Sequence, residues 1–148
     1  IRARIPRGAT DGQRLRLRGK GGPGVNGGAP GDLYLHIALD PHPLFRPSGH
    51  DLEIEVPVAA WEAALGAEIE VPTLEGAVSM KIPAGAKGGQ KFRIAGKGLP
   101  KPGAGGGAGD LYATLSVVAP AALSEREKKL YEELRAASKF DPRSRLKR

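Results

Sequence analysis

The chain has no cysteine. That excludes a disulfide, a thiolate nucleophile and a Cys-based zinc site within its 148 residues, and it fits a reducing compartment, here expected to be cytoplasmic. Aromatic residues are scarce, with three Phe, three Tyr and one Trp. Set beside 22 glycines and 13 prolines, that scarcity predicts thin cores, short strands and many turns. No apolar run approaches the ~18 residues of a membrane-spanning helix, and no signal-peptide pattern opens the chain. No serine stands in a G-x-S-x-G elbow. The three histidines, His36, His42 and His50, do not fall at metal-ligand spacing. Neither a catalytic constellation nor a cofactor or metal is expected.

What is present is a repeat. Residues 5–21 begin Ile5-Pro6-Arg7-Gly8 and end Gly19-Lys20-Gly21; residues 82–98 begin Ile82-Pro83-Ala84-Gly85 and end Gly96-Lys97-Gly98. The offset is 77 throughout. A glycine-rich loop then leads each copy to Gly31-Asp32-Leu33-Tyr34 and Gly109-Asp110-Leu111-Tyr112, at an offset of 78. A single extra residue in a surface loop is what duplicated units tolerate. The chain therefore reads as two related β-rich units.

Formal charge is +7 and it is concentrated. Residues 1–20 carry seven Arg or Lys against one Asp, and residues 139–148 carry five against one. Such a balance invites nucleic acid or an acidic peptide, or describes a solvated strand face and a basic tail. Arg14, Arg16 and Arg18 alternate with Leu15 and Leu17, the pattern of a half-buried strand.

Alternation predicts strands over 1–5, 13–18, 33–39, 51–56, 67–71, 77–82, 90–95 and 111–117. Pro6 and Pro57 are expected to end strands, Pro72 to open a turn to Gly76, and the three prolines of 40–49 to make a linker that Leu44 and Phe45 anchor. The alanine-rich 58–65 predicts a short helix stopped by Gly66. A last helix is expected to run to about Ser138, with Ser124 as N-cap and Glu127 completing a capping box. Its apolar stripe, Leu130, Leu134 and Ala137, needs a cover, either its own unit or a second copy of the chain. The chain opens at Ile1 already inside an alternation and reads as a fragment.

Gly19-Lys20-Gly21-Gly22-Pro23-Gly24 matches G-x-G-x-x-G, yet residues 25–31 cannot form the helix that would receive a phosphate. Gly19, Gly21, Gly96 and Gly98 read instead as turn-forming positions. Asp32 and Asp110 read as caps for turn N–H groups. Small units of few strands leave edges open to β-augmentation by an extended peptide. Ile69, Val71, Leu74, Val78, Met80 and Ile82 are the candidate client-groove residues; strand parity assigns most of them to a core, and Leu74, in a turn, stands out as exposed.

Together these marks resemble the C-terminal substrate-binding region of the bacterial Hsp40 (DnaJ) co-chaperones. They are Ile-Pro-x-Gly-x-x-x-Gly-Gln at 82–90 with its counterpart at 5–13, the two Gly-Lys-Gly and two Gly-Asp-Leu-Tyr elements, 41–46 with 49–52, and Trp61-Glu62-Ala63-Ala64-Leu65-Gly66. Phe140-Asp141-Pro142-Arg143 resembles the curved-DNA-binding-protein-A branch, or a DnaJ without a zinc finger. The resemblance implies an all-β fold: two tandem small β-sandwich or barrel modules, the first truncated, followed by a C-terminal dimerisation helix. It divides the chain at 1–43, 44–120 and 121–148. It makes Leu123, Leu130, Tyr131 and Leu134 dimerisation candidates. It implies a stress-response chaperone, not an enzyme, that binds non-native polypeptide and, as a full-length homodimer, delivers it to Hsp70 (DnaK). The J-domain that stimulates Hsp70 is not within these residues. The alternative is a nucleoid-associated DNA-binding co-chaperone. The expected partners are a second copy, unfolded polypeptide, Hsp70 and weakly bound DNA, without a membrane.

Overall fold

The computed structural model describes residues 2–103 and 105–147. The chain divides into two compact units, one up to Val118 and one from Ala119. In the first unit β1 (Arg14–Leu17) pairs antiparallel with β2 (Leu33–His36) as a two-stranded sheet. Next come β3 (Phe45–Ser48), β4 (Asp51–Ala59), helix α1 (Ala60–Leu65), β5 (Ala67–Thr73), β6 (Gly76–Ile82), β7 (Lys91–Ile94) and β8 (Leu111–Val118). A four-stranded sheet runs β3-β4-β8-β7, parallel only between β4 and β8. β5 and β6 form a separate hairpin.

Side-chain parity builds the core. Leu52, Ile54, Val56 and Val58 of β4 and Leu111, Ala113 and Leu115 of β8 point to one side and are buried. Val71, Met80 and Ile82 of the hairpin meet them from the other side, and Phe45 and Ala63 close the cluster. Each large side chain so buried contributes about 1.5–3 kcal/mol. β4 and β8 sit centrally because they are the longest apolar alternations and lie side by side for eight residues.

Several expectations are corrected. No sheet among the described residues closes into a barrel: the three sheets have two, four and two strands, each with open edges, and the described residues also form two α-helices. The expected strand 1–5 is not formed over Arg2–Ile5, and Ile1, where it would begin, lies outside the described residues. Its counterpart β6 is a strand because β5 pairs with it; among the described residues no strand pairs with Arg2–Ile5. Pro57 does not end β4. Leu52 N–H donates to Asp110 O (2.8 Å), so even-numbered residues of β4 face β8 with their amides. The missing N–H of Pro57 therefore points to the other side, where β3 has already ended opposite Ile54. Pro72 likewise lies inside β5, and the turn is only Leu74 and Glu75. The proline-rich linker 40–49 contains the edge strand β3, whose Phe45 is buried while Leu44 is exposed.

The second unit holds α2 (Glu125–Ala137) and a single 3-10 turn, Ser144–Leu146. The capping box is reciprocal. Ser124 Oγ accepts from Glu127 N–H (3.1 Å) and Glu127 Oε1 accepts from Ser124 N–H (2.9 Å). Glu125 and Glu127 in the first turn and Arg135 in the last match the helix dipole.

Candidate nucleic-acid and peptide interfaces

The duplicated sequence folds into a duplicated device. β1 and β2 pair with Arg16 opposite Tyr34; β7 and β8 pair with Arg93 opposite Tyr112, in the same register. Gly12 N–H donates to Ile37 O (2.8 Å), and Gly89 N–H donates to Leu115 O (2.7 Å). The side chain of Gln13 accepts from Thr10 N–H and that of Gln90 from Lys87 N–H (2.9 and 3.1 Å).

Each aspartate of the repeat closes the turn behind its strand pair. Asp32 Oδ1 accepts from Gly19 N–H (3.0 Å) and Oδ2 from Arg16 Nε (2.7 Å). Asp110 Oδ1 accepts from Gly96 N–H (3.0 Å) and Oδ2 from Arg93 Nε (2.8 Å). The Gly19 amide first, and the Arg16 guanidinium next, hold the Asp32 carboxyl below the usual carboxylate range. The Gly96 amide and the charge of Arg93 do the same for Asp110. Gly19 and Gly96 adopt φ of 67° and 73°, a conformation that glycine enters without strain. Gly21 and Gly98 lie so close to neighbouring backbone that a Cβ would meet Asp32 O at 2.5 Å and His50 O at 2.6 Å.

The outward faces differ. In the second repeat, Lys91 and Arg93 share their face with Glu53 of β4 and Arg46 of β3. Glu53 pairs with Lys91 (3.4 Å) and Arg46 (4.0 Å). In the first repeat the face holds Arg14 and Arg16 opposite His36 and Tyr34. The guanidinium of Arg14 lies 3.9 Å from the Tyr34 ring centroid.

The groove candidates fall into two groups. Val71, Met80 and Ile82 belong to the core, and Ile69 and Val78 pack against it. Leu74 is half exposed at the hairpin tip. It borders a mostly apolar hollow of about 200 Å³ walled by Leu39, Asp40, His42, Phe45, Pro47, Leu52 and Leu99. The sequence reading did not find this hollow, because its walls come from four separate segments. The isolated Leu44-Phe45 pair in a proline-rich stretch was the one available signal. Within the second unit, Leu123, Leu130 and Leu134 are exposed and Tyr131 is half-buried. Leu123 and Tyr131 line a shallow hollow with Lys128, Glu132 and Arg135.

Paired strands closed by duplicated aspartate-capped turns make the two repeats one structural device used twice. The chain belongs to the DnaJ C-terminal domain family, whose model matches residues 1–120. It is a co-chaperone domain of the Hsp40 class, and the family is non-catalytic. Among curated proteins it is 51% identical over 144 residues to a protein of Serratia proteamaculans named curved DNA-binding protein, covering 97% of this chain and 46% of that one. A protein of Pseudomonas putida with the same name is 49% identical over 144 residues (97% and 44%). One from Coxiella burnetii is 44% identical over 146 residues (99% and 45%). The chain spans about half the length of the curated relatives it matches. No helix among the described residues is long and apolar enough to cross a membrane.

Proposed function

We propose that this chain is the C-terminal part of a DNA-binding co-chaperone. The carrying observation is the likeness, at 44–51% identity over nearly the whole chain, to relatives named curved DNA-binding protein. The net charge of +7 supports the same reading, because phosphate contacts supply most of the free energy of non-specific DNA binding. The test is fluorescence anisotropy of a labelled duplex of about 25 base pairs, titrated from 50 to 200 mM salt. Binding whose log K falls linearly with log salt is expected. No binding at 50 mM salt sinks the reading.

A second activity, holding non-native polypeptide, is supported by the apolar hollow beside Leu74. It is open to solvent, and apolar side chains of an extended client fit such a site. Of the six groove candidates Leu74 is the one we assign to client contact; Val71, Met80 and Ile82 lie in the core, and Ile69 and Val78 pack against it. We assign the chain's parts as first repeat, 1–43, second repeat, 44–120, and dimerisation segment, 121–148. The segment's seam is Leu123, Leu130, Tyr131 and Leu134. In the full-length homodimer, clients held here would pass to Hsp70. Displacement of a labelled apolar peptide separates this activity from the first: a Leu74→Glu variant is expected to lose peptide and keep DNA.

A further inference from the structure

We infer that the DNA-contacting surface is the outward face of the β1–β2 pair, with Arg14 and Arg18 as phosphate ligands and Arg16 held between them. The placement rests on the DNA-binding reading above, and deepens it by choosing between two faces that the duplication makes geometrically equivalent.

The choice follows from what each face carries. Residues directly opposite in an antiparallel pair project to the same side. The first repeat therefore presents Arg14, Arg16, Tyr34 and His36 together, with the leucines at 15, 17, 33 and 35 on the reverse. Arg18 follows in the turn directly after β1 and is exposed. In the second repeat the same rows are crossed by β4, which brings Glu53 and Glu55 alongside Tyr112 and Thr114. Glu53 pairs with both Lys91 and Arg46, so the cations there already have an anion. Among the described residues Arg14 and Arg18 make no ion pair, and the carboxylate touching this face, Asp32, is spent on Arg16 and the Gly19 amide.

The unpaired face is also organised. Arg14 is stacked on Tyr34, which limits its rotamers without masking its donors. Arg16 keeps one nitrogen edge on Asp32. Two residues along a strand span about 6.7 Å, a step of the same order as that between neighbouring phosphates on one nucleic-acid strand. Arg14 and Arg16 keep that step within β1, and Arg18 continues the basic run into the turn. Such a run follows a phosphate backbone; an acidic peptide, with carboxylates on flexible stems, gains less from it.

The test uses the whole chain and the same labelled duplex. Arg14→Gln with Arg18→Gln removes two phosphate contacts and leaves the Arg16–Asp32 pair intact. The salt slope is expected to become shallower by about 1.8, and affinity at 0.1 M salt to fall roughly 60-fold. The charge-matched control, Arg46→Gln with Lys91→Gln, is expected to lose less than about fivefold, since both cations already serve Glu53. Circular dichroism checks that all chains are equally folded. Equal losses in the two double variants, or an unchanged slope in the first, overturn the placement while leaving DNA binding itself intact. Failure of the unaltered chain to bind overturns both. Poly-glutamate of matched charge displacing the duplex as efficiently as unlabelled duplex would overturn DNA as the occupant, in favour of an acidic polypeptide.

Discussion

Gly31 and Gly109 occupy equivalent positions in the repeat, and alanine at the two sites is expected to behave oppositely. Neither adopts a positive φ, so alanine is conformationally admissible at both. At Gly31 a Cβ meets nothing within 4 Å. At Gly109 it would overlap the carbonyl of His50 and lie 2.8 Å from Asp51 Oδ1. The His50 carbonyl is backbone, fixed by Leu99 N–H (2.7 Å), and the Asp51 side chain is held in place by Asp110 N–H (2.8 Å). The carbonyl cannot rotate aside. Gly109→Ala must displace the start of β4 from β8, at the overpacking cost of about 1–3 kcal/mol plus ~1 kcal/mol for each hydrogen bond strained. Gly31→Ala is expected to be neutral or to stabilise by about 0.4–1 kcal/mol, because alanine restricts the unfolded chain. Urea unfolding followed by the single tryptophan, Trp61 in α1, reads the second repeat directly. A midpoint for Gly109→Ala within experimental error of the parent would refute the reasoning, as would a Gly31→Ala variant equally damaged.

Three further outcomes are expected. Asp32 and Asp110 have their carboxyls lowered by amide and arginine donors, so their contribution to stability is complete above the unfolded carboxylate value near pH 4 and is lost as pH falls through the lower folded values. Carbon-detected NMR titration should find both below an ordinary aspartate, and Asp110→Asn should flatten the acid limb of the unfolding curve. Ser124→Ala removes the acceptor of the Glu127 amide and should cost α2 about 1 kcal/mol, seen as lost helical ellipticity at 222 nm. Leu130→Asp with Leu134→Asp should convert a dimer to a folded monomer in sedimentation velocity; a parent chain that is already monomeric would remove α2 from the proposed seam.

The repeat was the most legible feature. Its motifs specify the same strand register twice, because identical turn glycines and aspartates impose identical hydrogen bonds. The helix over 125–137 was readable, its start from Ser124 and Glu127 and its run from the stripe Leu130, Leu134 and Ala137. Proline misled. Pro47, Pro57 and Pro72 all sit inside strands, and each is tolerated through the strand's place in its sheet, an edge or a stretch past a neighbour's end. No single-strand pattern carries that information. The barrel expectation came from family resemblance and not from the residues, whose alternations fit open sheets equally well. The basic face was visible as alternating arginines. That its twin was neutralised by Glu53 was not, since β4 and β8 are about sixty residues apart in the chain.

That same separation governs how the molecule comes into being. β4 leaves the ribosome with Leu52, Ile54, Val56 and Val58 in alternation, while its partner has yet to be made. At about 5–20 residues per second the wait is roughly 3–12 s. The β5–β6 hairpin can cover part of this surface, being local, but the parallel ladder closes only when β8 arrives. During those seconds β4 displays an unpaired apolar strand, and the nascent chain stands open to the edge-to-edge association that the arrival of β8 forecloses.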